Sequence, residues 1–193
     1  MDLICLEGIQ GAGKSTQIAL LRKCINGIQV IPEFTQDNRF QKAFQEQTES
    51  SEAAILPFLK IYKRIQGEIY AKTNNPGLSI TDRGFYSLMV FGSEFWSIDK
   101  IEEMGLSLGI EHPTKYIILD CSPEVAFQRI IQDKKRSSSQ KSVIQKRYEN
   151  LSFMRLVRKK YLELSSRPNT FLINAERAPE EVLDDIKRII ETN

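Results

Sequence analysis

Apolar residues follow two rhythms along this chain. Short, largely unbroken runs occur at Leu3-Ile4-Cys5-Leu6, Ile28-Gln29-Val30-Ile31, Leu78-Ser79-Ile80-Thr81, Tyr116-Ile117-Ile118-Leu119-Asp120 and Thr170-Phe171-Leu172-Ile173-Asn174. Their length and β-branched content predict five strands. Between them the apolar positions recur at helical spacing. Ile18, Leu20, Leu21 and Ile25 mark a first helix, and a long helical pattern runs from about Arg39 to Lys72, with a break expected at Pro57. One or two helices fill Phe85 to Gly109. Ser122-Pro123-Glu124 reads as a helix start, with a capping hydroxyl, proline at the first helical position and an acid in the first turn. That helix is expected to dissolve after Ile130 into Asp133 to Lys141. Another should run from about Val143 to Leu164, and Pro179 opens a last one ending near Ile190. Strands apolar throughout, alternating with helices, predict an α/β fold: a five-stranded parallel sheet in three layers, with helices on both faces.

In such a sheet, ligand chemistry gathers beyond the carboxyl ends of the strands. This places Gly8 to Ser15, Pro32 to Thr35, Asp82-Arg83, Cys121 and Asn174 to Arg177 together as candidates. At 193 residues, without a linker or internal repeat, a single domain over 1–193 is expected. The net charge of +2, from 27 basic and 25 acidic side chains, gives no general argument for a nucleic-acid or membrane partner. Cys5, Cys24 and Cys121 have neither paired nor metal-like spacing, and read as small core residues in a reducing compartment. No run approaches ~18 apolar residues, and the first strand opens directly at the N-terminus, so a cytoplasmic protein without a leader is expected.

The chemistry is densest at Gly8-Ile9-Gln10-Gly11-Ala12-Gly13-Lys14-Ser15-Thr16, which fits G-x-x-x-x-G-K-[ST] between a strand and a helix. A strand, a glycine turn and a helix N-terminus point several backbone N–H groups into one small volume. The helix dipole adds partial positive charge there, which suits a polyphosphate. Lys14 can reach the β- and γ-phosphates and the Ser15 hydroxyl can ligate Mg²⁺, so ATP with Mg²⁺ is the expected pair.

Asp82-Arg83 closes the third strand. An acid there can complete the metal shell, and the arginine beside it faces a transferred phosphoryl group or an anionic acceptor. The glycine loop carries no arginine of its own, yet phosphoryl transfer needs cations around spreading charge. The basic segment around 133–142, with Lys134, Lys135 and Arg136, is the expected donor as a closing lid; Arg129 sits one turn before it. His112, the sole histidine, reads as a surface turn residue. Phe91, Phe95 and Trp96 read as core or interface groups. Phe58 and Tyr62 are equally compatible with core packing and base contact, whereas Arg64 is placed to reach an open site.

Together these residues resemble the thymidylate kinase family of P-loop nucleotide kinases over nearly the whole chain. The carrying segments are Leu6-Glu7-Gly8 into the glycine loop, Pro32-Glu33, Asp82-Arg83 with Ser87 and Phe91, and Pro113-Thr114-Lys115 through Pro123-Glu124-Val125-Ala126 to Arg129. They continue with Arg147-Tyr148-Glu149, then Phe153, Val157, Arg158 and Tyr161, and finally Asn174-Ala175 with Glu180-Glu181-Val182. The resemblance implies a P-loop kinase fold and transfer of the ATP γ-phosphoryl group to a pyrimidine deoxynucleoside monophosphate, with Mg²⁺, by a homodimer. It implies that Arg83 holds the acceptor phosphate and that Phe58 or Tyr62, with Arg64, meets the acceptor base. Arg129 and the Asn174–Arg177 loop, including Ala175 and Arg177, would bracket adenine.

Two positions depart from the family pattern. Gln10 stands where an acid commonly meets the acceptor sugar, and no arginine adjoins Glu33, which Pro32 precedes and Phe34 follows. The second departure keeps a rival in view: a deoxynucleoside kinase in which Glu33 is the general base for a sugar hydroxyl. A third reading, a regulatory protein that binds ATP without transferring it, does not account for Lys14, Ser15, Asp82 and a basic lid together.

Overall fold

The computed structural model describes residues 2–46, 55–72, 77–136 and 150–192. Its strands are β1 (Asp2–Glu7), β2 (Gln29–Ile31), β3 (Leu78–Asp82), β4 (Lys115–Asp120) and β5 (Thr170–Asn174). The helices are α1 (Lys14–Cys24), α2 (Asn38–Glu46), α3 (Ile55–Lys72), α4 (Phe85–Gly92), α5 (Ile98–Ser107), α6 (Pro123–Arg136), α7 (Leu151–Leu164) and α8 (Pro179–Glu191). The five strands form one parallel sheet in the order β2-β3-β1-β4-β5. Register pairs Val30 with Ile80 at one edge and Ile118 with Leu172 at the other. All five expected strands are present. The first strand of the sequence lies in the middle, so the turn that follows it leaves from the centre of the sheet.

The chain packs as two compact units, residues 1–5 with 27–115 and residues 6–26 with 116–193. In the first, Leu3, Ile4, Ile31 and Ile80 from the strands are buried, as are Leu59, Phe85, Met89 and Ile101 from the helices. An aromatic chain runs through this unit. Phe34 meets Phe40 and Tyr62 edge-on, each with ring centroids 5.0 Å apart, and Phe40 reaches Phe58 at 4.9 Å. Rings at these separations gain quadrupole attraction beyond their buried area. In the second unit, Leu6, Ile18, Leu21 and Ile117 to Leu119 are buried, as are Met154, Val157, Tyr161 and Ile186. The buried faces of α7 (Met154, Val157, Tyr161, Leu164) and α8 (Val182, Leu183, Ile186) keep the three-and-four spacing that their sequence shows.

Two helix boundaries differ from expectation. α3 begins at Ile55, so Pro57 does not end a helix but occupies the first turn of α3. A proline fits there because the first N–H groups of a helix have no intrahelical acceptor to lose. α6 does not dissolve after Ile130 but continues through Asp133 to Arg136. The long basic side chains there are ordinary helix formers, and their charge carried no breaking signal. α7 begins at Leu151, capped by Asn150, whose Oδ1 accepts the Phe153 N–H at 3.2 Å. Residues 137–149, which hold most of the expected lid and the expected start of that helix, lie outside the described residues.

His112 also departs from a plain surface residue. Its ring lies 5.4 Å from that of Phe85, and Nε2 sits 3.1 Å from Glu102 Oε1. Cys5 and Cys121 are buried as expected, while Cys24 is exposed.

Candidate functional site

Within the second unit, β1 feeds the glycine loop directly into α1. Gly8, Gly11 and Gly13 all have positive φ, at 133°, 81° and 98°. At Gly11 a Cβ would overlap the backbone carbonyl oxygen of Ala126 in α6, so the loop can pack this closely only without a side chain. Gly13 is the opposite case, because no heavy atom lies within 4 Å of where its Cβ would be. Glycine is needed at Gly13 for its left-handed backbone and not for close packing. Gly13 caps α1 without a side chain, and no acid occupies the first turn of the helix, which leaves its positive dipole end uncompensated by that turn.

Lys14 is 6% exposed, and its Nζ donates to the carbonyl oxygens of Gly8 and Ile9, each at 3.1 Å. Its ammonium therefore lies back along the loop, held by the strongly polar acceptors a buried charge requires. Ala12 is buried, Gln10 half-buried, and Ser15 and Thr16 are exposed at the start of α1.

The loop after β5 is built on the same unit. The Ala175 N–H donates to Asp120 O at 2.7 Å, and Arg129 Nη2 donates to Ala175 O at 2.8 Å. Arg177 donates from Nε to Asn174 O at 3.2 Å and pairs with Asp185. That pairing holds the Asp185 carboxyl below its ordinary range. Glu176 accepts the Ser122 N–H at 2.6 Å, which ties this loop to the turn after β4. Arg158 of α7 grips Asp120 through two bonds of 2.7 and 2.9 Å. Burial pushes the Cys121 thiol up to about 11, so it stays a neutral packing group. The family resemblance implies a place beside adenine for Arg129, Ala175 and Arg177; in the structure all three shape the loop itself.

Within the first unit, Asp82 ends β3, and Arg83 follows in the left-handed region at φ 67°. A non-glycine residue there carries strain of order 1–3 kcal/mol, which the surrounding contacts must hold in place. They are numerous. Arg83 is 7% exposed, its Nε lies 3.0 Å from Glu33 Oε1, and its Nη1 donates to Ser87 Oγ at 3.2 Å. Its guanidinium carbon sits 5.4 Å from the centroid of Phe91. Thr35 donates its hydroxyl to the same Glu33 oxygen. The result is a buried cation at a strand end with a carboxylate as its counter-ion.

Its counter-ion Glu33 also lines a groove of about 400 Å³, together with residues that include Pro32, Phe34, Asp37, Ile65 and Glu68. Phe34 and Phe58 pack in the aromatic chain, and Tyr62 lies between Phe34 and Phe85. Arg64 is exposed, at 74% of its side chain, with its Nε 3.4 Å from Glu68. Of the catalytic cations expected in the lid, Lys135 and Arg136 fall in the last turn of α6, and their side chains lie outside the described residues. Sequence reasoning passed over Asp37, Arg39 and Glu68. An acid two residues before a basic side chain looks like any solvated pair, and only the fold shows that Glu68 joins it.

For a metal, the candidate ligands are the Ser15 hydroxyl and the Asp82 carboxylate. Both are hard oxygen donors, and no cluster of three or more His, Cys, Asp or Glu able to hold an ion exists among the described residues.

The chain matches the family model described as thymidylate kinase over residues 6–186. It is similar to a probable thymidylate kinase of Archaeoglobus fulgidus, 30% identical, with 98% of this chain and 95% of that protein covered. A probable thymidylate kinase of Pyrobaculum aerophilum is 31% identical over 98% of this chain and 96% of its own. Among solved structures, the thymidylate kinase of Candida albicans superposes with a TM-score of 0.71 over 100% of this chain and 92% of that one. At 19% identity, that superposition speaks for the fold alone. The family model spans the glycine loop with Lys14, the Asp82-Arg83 strand end and the Arg158 helix alike, and the chain belongs to the thymidylate kinase family.

Proposed function

We propose that this protein transfers the γ-phosphoryl group of ATP to dTMP, giving ADP and dTDP, with Mg²⁺ bound to the nucleotide. An oxygen of the acceptor phosphate forms the new bond to the γ-phosphorus as the bond to the β-phosphate oxygen breaks. A phosphate monoester has its second pKa near 6, so the attacking oxygen is largely deprotonated at neutral pH and needs no general base. The protein's task is then to bind, orient and neutralise charge. Gly8, Gln10 to Gly13 and the start of α1 cradle the triphosphate, and Lys14 leaves its two loop carbonyls for phosphate oxygens. Mg²⁺ supplies charge neutralisation when bound, with Ser15 and Asp82 as its protein ligands. Arg129, Ala175 and Arg177 border the adenosine. Lys135 and Arg136 are the further cations proposed for the transferred group.

The observation that carries an anionic acceptor is the Arg83–Glu33 pair. A buried guanidinium already holding a carboxylate is a receptor for an oxyanion, and an acceptor phosphate can take the place of Glu33. The deoxynucleoside-kinase alternative is not favoured. Its proposed base, Glu33, has one oxygen shared by Arg83 and Thr35, and the family match is to nucleotide kinases. The acceptor base is assigned to Tyr62, Phe58 and Arg64, with Phe34 and Gln10 bordering the acceptor. A homodimer in the cytoplasm completes the proposal. No helix among the described residues is long and apolar enough to cross a membrane.

An ADP-release assay with dTMP, dUMP, thymidine or no acceptor tests this reading. Turnover is expected with dTMP, lost on removing Mg²⁺ and in Lys14→Ala. Turnover on thymidine but not on dTMP would overturn it.

A further inference from the structure

Arg39 opens α2 and bridges two elements. Its Nε and Nη2 bond to Asp37 at 2.9 and 2.7 Å, and its backbone N–H bonds to Asp37 Oδ1 at 2.8 Å. On its other side, Nη1 and Nη2 bond to the two oxygens of Glu68 on α3, at 2.6 and 2.9 Å. Glu68 lies one helical turn after Arg64, whose Nε approaches the same carboxylate at a longer 3.4 Å. Two arginines thus compete for one acid, and Arg39 has the closer, two-pronged hold. The Glu68 carboxyl is held below its ordinary range, chiefly by its hydrogen bond from Arg39 and only in smaller part by Arg64. Asp37 and Glu68 line the same groove as Glu33 and Phe34.

We infer that Arg39 is a positioning residue for the acceptor: by occupying both oxygens of Glu68 it leaves the Arg64 guanidinium available to substrate. Without Arg39, Glu68 closes fully onto Arg64, because an acid and a base four residues apart on a helix are natural partners. Arg64 must then break that pair before it can meet the acceptor. The effect falls on acceptor affinity and leaves the ATP side and the transfer step alone. This rests on the acceptor role proposed for Arg64.

Steady-state kinetics of Arg39→Ala, Glu68→Gln, the double variant and Arg64→Ala test the inference. Arg39→Ala is expected to raise the KM for dTMP about 1.5-fold to twofold, with kcat and the KM for ATP unchanged. Glu68→Gln alone is expected to leave the KM for dTMP at or below the parent value. Added to Arg39→Ala, it should restore that KM, because it removes the competitor. A mere staple between α2 and α3 predicts the reverse: Glu68→Gln raises KM as Arg39→Ala does, and no rescue follows. That result, or an unchanged KM in Arg39→Ala, overturns the inference. Arg64→Ala separates the two levels. If it raises the KM for dTMP while the rescue fails, the acceptor role of Arg64 stands and the inference falls. If it leaves that KM unchanged, the acceptor role of Arg64 falls first and takes the inference with it.

Discussion

Alanine at Gly13 and at Gly27 imposes the same backbone penalty at two places with different surroundings. The φ angles are 98° and 78°, both left-handed, and neither position has a heavy atom within 4 Å of an added Cβ. The strain at each is about 1–2 kcal/mol, with no steric overlap to add to it. For a chain of this length that lowers the melting temperature by roughly 2–8 °C in either variant. What differs is the use of the empty space. At Gly13 it lies at the mouth of the glycine loop, where the proposed triphosphate would sit. At Gly27 it is exposed turn, outside the proposed site. A methyl group at Gly13 that displaces one phosphate from a charge-assisted hydrogen bond costs about 1.5–3 kcal/mol of binding, or roughly tenfold to a hundredfold in Kd. Thermal unfolding and calorimetric titration with magnesium-bound ATP would be run on both proteins. Similar melting temperatures with weakened ATP binding in Gly13→Ala alone are expected. Equal ATP affinity in the two variants would refute the assignment of that space to phosphate.

Two further outcomes follow from buried groups. Tyr161 donates to Glu7 Oε2 at 3.0 Å in the interior, where Glu7 is fully buried. Tyr161→Phe removes a hydrogen bond to a buried carboxyl and should cost about 1.5–3 kcal/mol, a fall of roughly 3–12 °C in melting temperature; a fall below about 1 °C would show that the bond contributes nothing. Iodoacetamide at neutral pH should label only Cys24 in the native protein, because Cys5 is buried and burial pushes the Cys121 thiol up to about 11. Peptide mapping that found Cys121 modified before unfolding would contradict this.

The amino-acid sequence alone carried the strands, most helices and the glycine loop, because each depends on neighbours a few residues apart. Gly8, Gly13, Lys14 and Ser15 have their meaning through spacing, and backbone that must turn left-handed between a strand and a helix declares itself through glycine. Asp82 and Arg83 were legible for a similar reason: they end an apolar run. What only the folded chain decided are pairings over distance. Glu33 keeps a rival role as general base open in the sequence, and the structure puts Arg83 and Thr35 on its oxygen. Arg39 looked like a solvated charge until Glu68, 29 positions away, closed on it. Glu7 and Tyr161, 154 residues apart, show no local sign of each other. His112 seemed a turn residue until Phe85 came against its ring. Hydrophobic period fixes which face of an element turns inward, but not which charged group waits on the element it meets. That choice belongs to tertiary packing, where a buried charge is tolerated only beside the partner the fold delivers.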